Sequence, residues 1–189
     1  MEARKLENIS YQVELANGSH AMYAKTIVDM MFDAAQKRGT GISRRSPEYV
    51  MSKMANNQAV IATDNGKVIG FCYLETWQHG KYVVNSGLII HENYRGVGLA
   101  GRIKAAAFTL SRKEYPNAKI FGLTTSSAVM KINSDLGYRP VTFGELTGDK
   151  VFWKGCQSCV NHDILTRTER KFCLCTGMLF DPNNKRTQK

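Results

Sequence analysis

The sequence predicts an α/β protein in which helices flank a mixed central sheet. Strand and helix patterns follow the order β-α-α-β-β-β-α-β-α-β before a final tail. Asp64-Asn65-Gly66 joins two β-rich runs and indicates a tight hairpin. A long helix pattern connects two buried strand patterns, and such a crossover makes neighbouring strands parallel. The expected sheet therefore combines early antiparallel strands with a parallel pair at its centre.

Each element of the first half has a local cause. Residues 11–15 alternate as a short strand, and residues 21–37 carry apolar side chains at helical spacing. Ser46-Pro47 places an N-cap before a proline at the first helical position, which begins a second helix. Three β-rich runs follow as predicted strands, at residues 59–63, 67–77 and 82–90.

The second half continues the same alternation. Residues 98–115 place apolar side chains along one stripe, which predicts a long helix. A short buried strand is predicted at residues 120–124 and a helix at residues 127–136, which Gly137 ends. Two further strand patterns are predicted, at residues 138–143 and within residues 173–180.

The 189 residues suit a single domain, with a core at about residues 10–145 and a Cys-rich C-terminal extension at about 150–181. Lys and Arg total 26 against 16 acids, so the net charge is +10. This excess favours an anionic partner without choosing its class. No apolar run is long enough to span a membrane, and the amino terminus does not resemble a secretory signal. We expect a cytoplasmic protein without a membrane partner.

The most informative segment is a glycine-rich turn that follows a buried strand and opens a long helix. Its residues are Arg95-Gly96-Val97-Gly98-Leu99-Ala100-Gly101. The first turn of a helix offers unpaired N–H groups and partial positive charge, and glycine lets a bulky anion approach the backbone. A pyrophosphate is the natural occupant of such a turn, and Arg95, Arg102 and Lys104 add positive charge. A tight connection with a solvated arginine is the alternative interpretation.

This turn resembles the Gln/Arg-x-x-Gly-x-Gly/Ala signature of the GCN5-related N-acetyltransferase (GNAT) family. The surrounding strands and helices, and Asp135-Leu136-Gly137-Tyr138, follow the order of that family over residues 10–145. The resemblance implies a GNAT-like sheet splayed between its two parallel central strands. It also implies acetyl-CoA or another acyl-CoA as the acyl donor and an amine as the acceptor.

The resemblance also implies which residues bind the cofactor. Backbone amides of the glycine-rich turn would hold the pyrophosphate, and the preceding strand would pair with the pantetheine arm. The implied cofactor-binding residues are Leu88, Ile89, Ile90, Arg95, Gly96, Val97, Gly98, Leu99, Ala100, Gly101, Ser126 and Asn133. Asn133 stands where many members carry a tyrosine that protonates the leaving thiolate. The proton donor is therefore open, with Tyr138 and water as alternatives.

The acceptor amine must lose a proton before it attacks the thioester directly in a ternary complex. Candidate catalytic residues are Glu75 on the hairpin strand, His79 in its turn and Asn85 on the central strand. Solvated Glu75 and His79, and an Asn85 that only satisfies a bulged backbone, are the alternatives.

Arg38, Arg44 and Arg45 lie on or beside a Gly/Ser/Thr-rich loop and suit bidentate binding of a carboxylate. A solvated basic loop is the alternative. Arg38-Gly39-Thr40-Gly41-Ile42 and Phe152-Trp153-Lys154-Gly155-Cys156 resemble a bacterial GNAT subgroup linked to arginine biosynthesis. That resemblance implies a small-molecule acceptor such as glutamate or ornithine.

Four cysteines crowd into the C-terminal extension as two close pairs. Cys156 with Cys159, and Cys173 with Cys175, have the layout of a structural zinc site. Simple burial of these thiols as small apolar groups is the alternative.

Two other functions remain as alternatives: a GNAT enzyme that acts on a protein or peptide amine, and a zinc-stapled basic protein that binds nucleic acid. The chain shows no nucleic-acid motif, so we expect no nucleic-acid partner. A homodimer is among the assembly states that the sequence permits.

Overall fold

The centre of the molecule is a mixed sheet of seven strands in the order β1-β2-β3-β4-β5-β7-β6. A computed structural model describes residues 11–39 and 45–184 of the chain. Within these residues the strands are β1 (Gln12–Leu15), β2 (Ala59–Asp64), β3 (Lys67–Trp77), β4 (Tyr82–Ile90), β5 (Lys119–Thr124), β6 (Arg139–Val141) and β7 (Thr176–Phe180). The α-helices are α1 (Ala24–Arg38), α2 (Pro47–Ala55), α3 (Leu99–Glu114), α4 (Ser127–Asp135), α5 (Lys150–Lys154) and α6 (His162–Arg167).

The predicted α/β architecture with a mixed central sheet is confirmed. Strands β1 to β4 are antiparallel, β4 and β5 are parallel, and α3 makes the crossover between them. The extension differs from expectation in two ways. It contains the short helices α5 and α6, which no helical spacing of apolar residues predicts. Its strand β7 begins after the last cysteine and inserts between β5 and β6, so the extension completes the sheet.

Three apolar clusters cover the sheet. On one face, α3 packs Ile103 against Cys72 and Leu74 of β3. On the other face, α1 and α2 pack against the alternate β3 residues Phe71 and Tyr73. The C-terminal segment buries Trp153 and Leu165 in a third cluster, which also contains Val84, Phe121 and Leu179 of the sheet and Phe143 and Leu146, which follow β6. Successive β3 side chains therefore point alternately into two apolar layers, one on each face of the sheet.

The parallel pairing of β4 with β5 stops early. Only Tyr82, Val83 and Val84 have partners on β5, at Lys119, Ile120 and Phe121. Strand β4 nevertheless continues to Ile90, and β5 continues to Thr124. The two central strands therefore separate beyond Val84, as the sequence analysis expected.

A glycine sits on β4 at this opening. The register between β3 and β4 shifts between Phe71 and Tyr73, where Gly87 has the left-handed φ of 64°. A Cβ atom at Gly87 would lie 2.3 Å from Tyr73 Cε1 and 2.8 Å from Met31 Cε. The bulge thus needs glycine for both its backbone conformation and the close approach of the Tyr73 ring.

Within the described residues, no helix is both long enough and apolar enough to cross a membrane.

Replacing Gly87 with alanine should destabilise the fold more than the same change at Gly66. Both glycines have left-handed φ values, but no heavy atom lies within 4 Å of a Cβ at Gly66. The free energy of unfolding should fall by roughly 1–3 kcal/mol more for G87A than for G66A, because only G87A overpacks the core. Urea denaturation measures both losses. Equal losses would show that Tyr73 does not confine the bulge.

Candidate active site

A cavity of about 600 Å³ opens where β4 and β5 separate. Its lining comes from both faces of the sheet: Tyr73 and Glu75 on the α2 side, and Lys104 and Asn133 on the side of α3 and α4. This volume lies within the usual range of about 300–1,000 Å³ for small-molecule sites. The split between the strands therefore forms a passage that groups of different chemistry reach from opposite faces.

Glu75 is the centre of a hydrogen-bonded cluster at one end of the cavity. Its Oε1 accepts a hydrogen bond from Tyr49 Oη at 2.5 Å and one from Arg45 Nη2 at 3.3 Å. Its Oε2 accepts one from Ser86 Oγ at 2.7 Å. Arg45 Nε also donates to Tyr73 Oη at 2.7 Å. The carboxylate is only 8% exposed, so these donors replace most of its hydration.

The local fold explains this cluster. Tyr73 and Glu75 are two residues apart on β3, so both side chains project toward α2. The N-cap Ser46 and Pro47 begin α2, which places Tyr49 on its first turn and Arg45 just before it. Ser86 lies on β4 opposite Tyr73. Three separate elements therefore converge on one carboxylate.

Burial and charge around this cluster keep Tyr49 and Tyr73 neutral and Arg45 charged. Burial and the Glu75 carboxylate raise the pKa of Tyr49 and of Tyr73 well above the ordinary range, so both hydroxyls stay neutral. Burial alone would lower the pKa of Arg45, but Tyr73 and Glu75 outweigh it and raise that pKa. The guanidinium therefore stays charged beside Glu75.

The opposite face of the cavity presents Lys104, whose Nζ lies 5.4 Å from the centroid of the Tyr138 ring, and Asn133. Lys104 on α3 is 2% exposed, and its side chain makes no hydrogen bond or ion pair with any described residue. Asn133 on α4 is 1% exposed, and its buried Oδ1 accepts no hydrogen bond from any residue that the structure describes. Burial lowers the pKa of Lys104 to about 8. At the Glu75 end both carboxylate oxygens are hydrogen-bonded, but within the described residues the buried Nε1 of Trp77, two residues further along β3, has no hydrogen-bond partner.

The glycine-rich turn leaves a run of backbone donors open. Gly96 and Gly98 have φ values of 82° and 81°, and α3 begins at Leu99 without a side-chain cap. The N–H groups of residues 96–101 hydrogen-bond to no described residue, and the first ladder bond runs from Arg102 to Gly98. Side-chain space at Gly96, Gly98 and Gly101 is empty to 4 Å. This geometry fits a bulky anion at the helix start.

The basic side chains near this turn have different surroundings. Arg95 is exposed, and its Nε donates to the carbonyl of Ile90 at 3.2 Å. Arg102 lies over the ring of Tyr11, with 4.7 Å from its Cζ to the ring centroid. The sequence analysis counted Lys104 with these two as positive charge near the turn, and the structure places its side chain buried in the cavity wall.

The other expected cofactor-binding residues divide between the cavity and the core. Leu88, Ser126 and Asn133 line the cavity. Ile89 and Ile90 point into the two apolar layers on opposite faces of the sheet. Their backbone, but not their side chains, is therefore placed at the open strand.

Of the expected catalytic residues, Glu75 has the environment of a functional carboxylate. His79 is exposed in the β3–β4 turn and is not part of the cavity lining. Asn85 lines the cavity, but its Nδ2 donates to Ser111 Oγ at 2.7 Å and its Oδ1 accepts from Tyr138 Oη at 3.1 Å. These bonds tie β4 to α3 and occupy the Tyr138 hydroxyl.

Of the three arginines expected to bind a carboxylate, the structure describes the side chain of Arg45 alone. Arg45 lines the cavity, where Tyr73 and Glu75 engage its guanidinium. Arg38 ends α1, and its side chain lies outside the described residues, as does Arg44.

The four C-terminal cysteines converge on one wall of the cavity. Cys156, Cys159, Cys173 and Cys175 all line it and are close enough to interact electrostatically. Burial raises the pKa of Cys156 to about 11 and that of Cys175 to about 12, so these thiols are neutral. Among residues 11–39 and 45–184, no three His, Cys, Asp or Glu side chains are arranged to hold a metal ion. The expected zinc site is therefore not supported, and Cys156, Cys173 and Cys175 pack against the third apolar cluster.

Sequence reasoning missed Tyr49 and Tyr73. The spacing of Tyr73 and Glu75 on one predicted strand was the available signal, because residues two apart share a face. Nothing local marked Tyr49, whose role depends on how α2 crosses the sheet.

Comparison with known proteins agrees with this geometry. The model of the Acetyltransferase (GNAT) family matches residues 28–130, which is more than half of the chain. No curated protein sequence matches the chain.

Solved structures share the fold at low sequence identity. N-acetylglutamate synthase from Neisseria gonorrhoeae, complexed with coenzyme A and N-acetyl-glutamate, has a TM-score of 0.63 and 13% identity. The match covers 94% of this chain but only 36% of that chain. A GNAT acetyltransferase from Staphylococcus aureus has a TM-score of 0.65 and 10% identity, covering 92% and 100% of the two chains.

A third solved structure is diaminobutyrate acetyltransferase EctA from Paenibacillus lautus, in complex with L-2,4-diaminobutyric acid and coenzyme A. Its TM-score is 0.63 at 9% identity, and the match covers 94% of this chain and 99% of that chain. These likenesses concern the fold, and the family match carries the assignment. The chain belongs to the GNAT family of acetyltransferases.

Proposed function

We propose that this protein transfers an acetyl group, or another short acyl group, from acyl-CoA to the amine of a small amino-acid-like acceptor. The observation that carries the proposal is the cavity at the β4–β5 split. A prearranged carboxylate cluster lies at its α2 face, and unpartnered polar groups lie at its α3 and α4 face. An acceptor and an acyl donor can therefore meet from opposite sides of the sheet.

The residues present fit CoA. The open N–H groups of residues 96–101 suit the pyrophosphate, because the helix start adds partial positive charge. The edge of β4 at residues 85–90, which β5 leaves unpaired, suits the amide-bearing pantetheine arm. When bound, acyl-CoA supplies an activated thioester whose acyl carbon accepts a nucleophile. The backbone of β4 at the split is positioned to donate to the thioester oxygen.

Glu75 is proposed as the base for the acceptor amine. Its carboxylate lines the cavity, and Tyr49, Arg45 and Ser86 fix both of its oxygens. Such a carboxylate can take a proton from an acceptor ammonium through a bridging water and leave a neutral amine. The neutral amine then attacks the thioester directly, within a complex of both substrates. The exposed position of His79 makes it the weaker candidate for this role.

The shape of the cavity favours a small acceptor. The C-terminal segment forms one wall with Phe152, Leu165 and the four cysteines, and Phe152 packs 5.5 Å from Trp77 between ring centroids. A peptide chain needs a groove open at both ends, which this wall restricts. Arg45 brings positive charge to the acceptor end, which suits an acceptor that carries a carboxylate.

The acceptors of two structural neighbours support an amino-acid class. One is complexed with N-acetyl-glutamate, and the other with L-2,4-diaminobutyric acid. Because this chain spans only 36% of the N-acetylglutamate synthase chain, its own acceptor is inferred from the cavity as well. Glutamate and ornithine are the first acceptors to test.

Placing an acidic side chain at Gly101 should abolish CoA binding without unfolding the protein. Gly101 is the third residue of α3 and has open space around it, so glutamate there suits the helix while its charge repels the pyrophosphate. The wild type should gain about 2.7 kcal/mol of stability at CoA near 100 times its Kd, seen as a rise in Tm. G101E should lose this rise, and the control G101A should keep it. An undiminished rise in G101E would place the pyrophosphate elsewhere.

Glu75→Gln should reduce kcat while leaving the CoA-induced Tm shift intact. General base catalysis contributes about 10²–10⁴-fold, so a loss of that size is expected. Thiol release from acetyl-CoA and succinyl-CoA, tested against single amino acids and short peptides, measures the reaction. S52A is the control, because Ser52 on α2 is exposed and its hydroxyl donates to the carbonyl of Tyr49 rather than to Glu75. Turnover of peptides but not amino acids would overturn the small-acceptor proposal, and full activity of E75Q would remove Glu75 as the base.

A further inference from the structure

Lys104 is a buried cation without a counter-charge. Its side chain lies on the sheet-facing side of α3 and is 2% exposed, yet it reaches the cavity lining. No carboxylate among the described residues lies within ion-pair distance of its ammonium, and burial is the dominant influence on it. An isolated buried ammonium is destabilising, since neither water nor an acid compensates its charge. A purely structural role does not explain why lysine occupies this position.

The neighbours of Lys104 are neutral. Its Nζ lies 5.4 Å from the centroid of the Tyr138 ring. Burial raises the pKa of Tyr138 well above its ordinary value and raises that of Cys72 to about 11, so neither group is an anion near neutral pH. Asn85 and Ser111 hydrogen-bond to each other nearby, and Asn85 accepts from Tyr138. Lys104 therefore contacts the Tyr138 ring but has no hydrogen-bond acceptor among the described residues, and a ligand in the cavity can supply one.

The position of Lys104 places that ligand at the strand split. Cys72, which interacts electrostatically with Lys104, donates from its Sγ to the carbonyl of Ser86 at 3.4 Å. Ser86 lies two residues beyond Val84, the last β4 residue that pairs with β5. Lys104 is therefore next to the point where the cavity crosses the sheet, on the face opposite Glu75.

Asn133 provides a second, independent unpartnered group in the same cavity. Its Oδ1 is buried and accepts no hydrogen bond, although its backbone carbonyl accepts from the N–H of Tyr138 at 3.0 Å. Tyr138 thus contacts both residues, Asn133 through its backbone N–H and Lys104 through its ring. A ligand that presents an anion to Lys104 and an N–H to Asn133 would satisfy both groups. The thiol end of CoA, with the amide next to it, has this chemistry.

We propose that Lys104 is the acid that stabilises and protonates the departing CoA thiolate, and that Asn133 accepts a hydrogen bond from the adjacent pantetheine amide. As the new C–N bond forms, the C–S bond breaks and its electron pair stays on sulfur. The Lys104 ammonium gives one proton to that sulfur and becomes a neutral amine, which regains a proton from water. The protons of the acceptor amine leave by way of Glu75. This proposal rests on the acyl-CoA function proposed above.

A lysine can act as a proton donor at this position, whereas an arginine cannot, because only lysine loses its proton near neutral pH when it is buried. Burial lowers the pKa of Lys104 to about 8, so its ammonium is charged at neutral pH but gives up a proton readily. An acid must carry its proton to act, so kcat should fall as the pH rises through this value. The carboxylate of Glu75 lies on the other face, where it accepts hydrogen bonds from Arg45, Tyr49 and Ser86.

The test compares K104M and K104R with K113M, which removes an exposed lysine from the same helix. K104M should lower kcat by about 100-fold, the lower end of general acid catalysis, with a much smaller change in KM for acetyl-CoA. K104R keeps the charge but cannot release a proton, so it should restore thiolate binding but not kcat. The fall in kcat above about pH 8 should be present in the wild type and K113M and absent from K104M.

A binding measurement separates this role from a general loss of activity. Calorimetry should show that the wild type binds CoA about tenfold more tightly than desulfo-CoA, which lacks the thiol, because a charge-assisted bond is lost. K104M should bind both compounds equally, and N133L should weaken both equally. K104M should also have a higher Tm than the wild type at pH 7, because it removes an uncompensated buried charge.

The outcomes distinguish the two proposals. If the wild type neither binds CoA nor releases thiol from acetyl-CoA, the acyl-transfer function fails. If the wild type is active while K104M keeps its kcat, its pH profile and its preference for CoA over desulfo-CoA, the role of Lys104 alone is refuted. A K104M protein that is inactive, stable and unable to distinguish CoA from desulfo-CoA supports the proposal.

Discussion

The separation of β4 from β5 beyond Val84 is the constraint on which the rest of the site depends. Each strand keeps its outer neighbour: β4 pairs with β3 as far as Ile90, and β5 pairs with β7 as far as Thr124. Only the edge between them opens. Unpaired backbone groups at the centre of a sheet are costly unless water or a ligand satisfies them. Backbone groups along this edge therefore have no partner on the neighbouring strand, and a bound substrate can hydrogen-bond to them.

The polar groups on the two faces of this opening differ in how far protein groups satisfy their hydrogen bonds. On the α2 face, the donors that hold the Glu75 carboxylate are in place before any ligand arrives, so its orientation in the cavity is fixed in advance. On the other face, among the described residues Lys104 makes no hydrogen bond or ion pair and Asn133 Oδ1 has no hydrogen-bond partner, so a ligand that bonds to them would offset part of the cost of burying them. This asymmetry is consistent with an acceptor end that is rigid and a donor end that the acyl-CoA completes.

Much of the fold could be predicted from the sequence because its signals are local. The Asp64-Asn65-Gly66 turn, the Ser46-Pro47 helix start and the strand-to-glycine turn at Gly96 each act within a few residues. The insertion of β7 between β5 and β6 could not be predicted, because pairing order is a long-range property. Helices α5 and α6 are too short for helical periodicity to show.

The same distinction holds for the site. The glycine-rich turn was recognisable because its proposed function uses consecutive backbone amides. Glu75 was recognisable as a candidate, but its partners Tyr49 and Arg45 come from another element. The burial of Lys104 depends on the rotation of α3 against the sheet, which places it beside Ile103 and away from exposed Arg102. The cysteine spacing suggested zinc, yet spacing alone does not specify how four side chains orient.

Amide hydrogen exchange, measured residue by residue with and without CoA, tests most directly whether the split and the glycine-rich turn form one cofactor site. We predict that CoA slows exchange at the N–H groups of residues 96–101 and at the β4 residues 85–90 that face the opening, because both sets lack protein acceptors on that side. Unchanged exchange at both segments when CoA is saturating, or protection confined to other parts of the chain, would contradict this account.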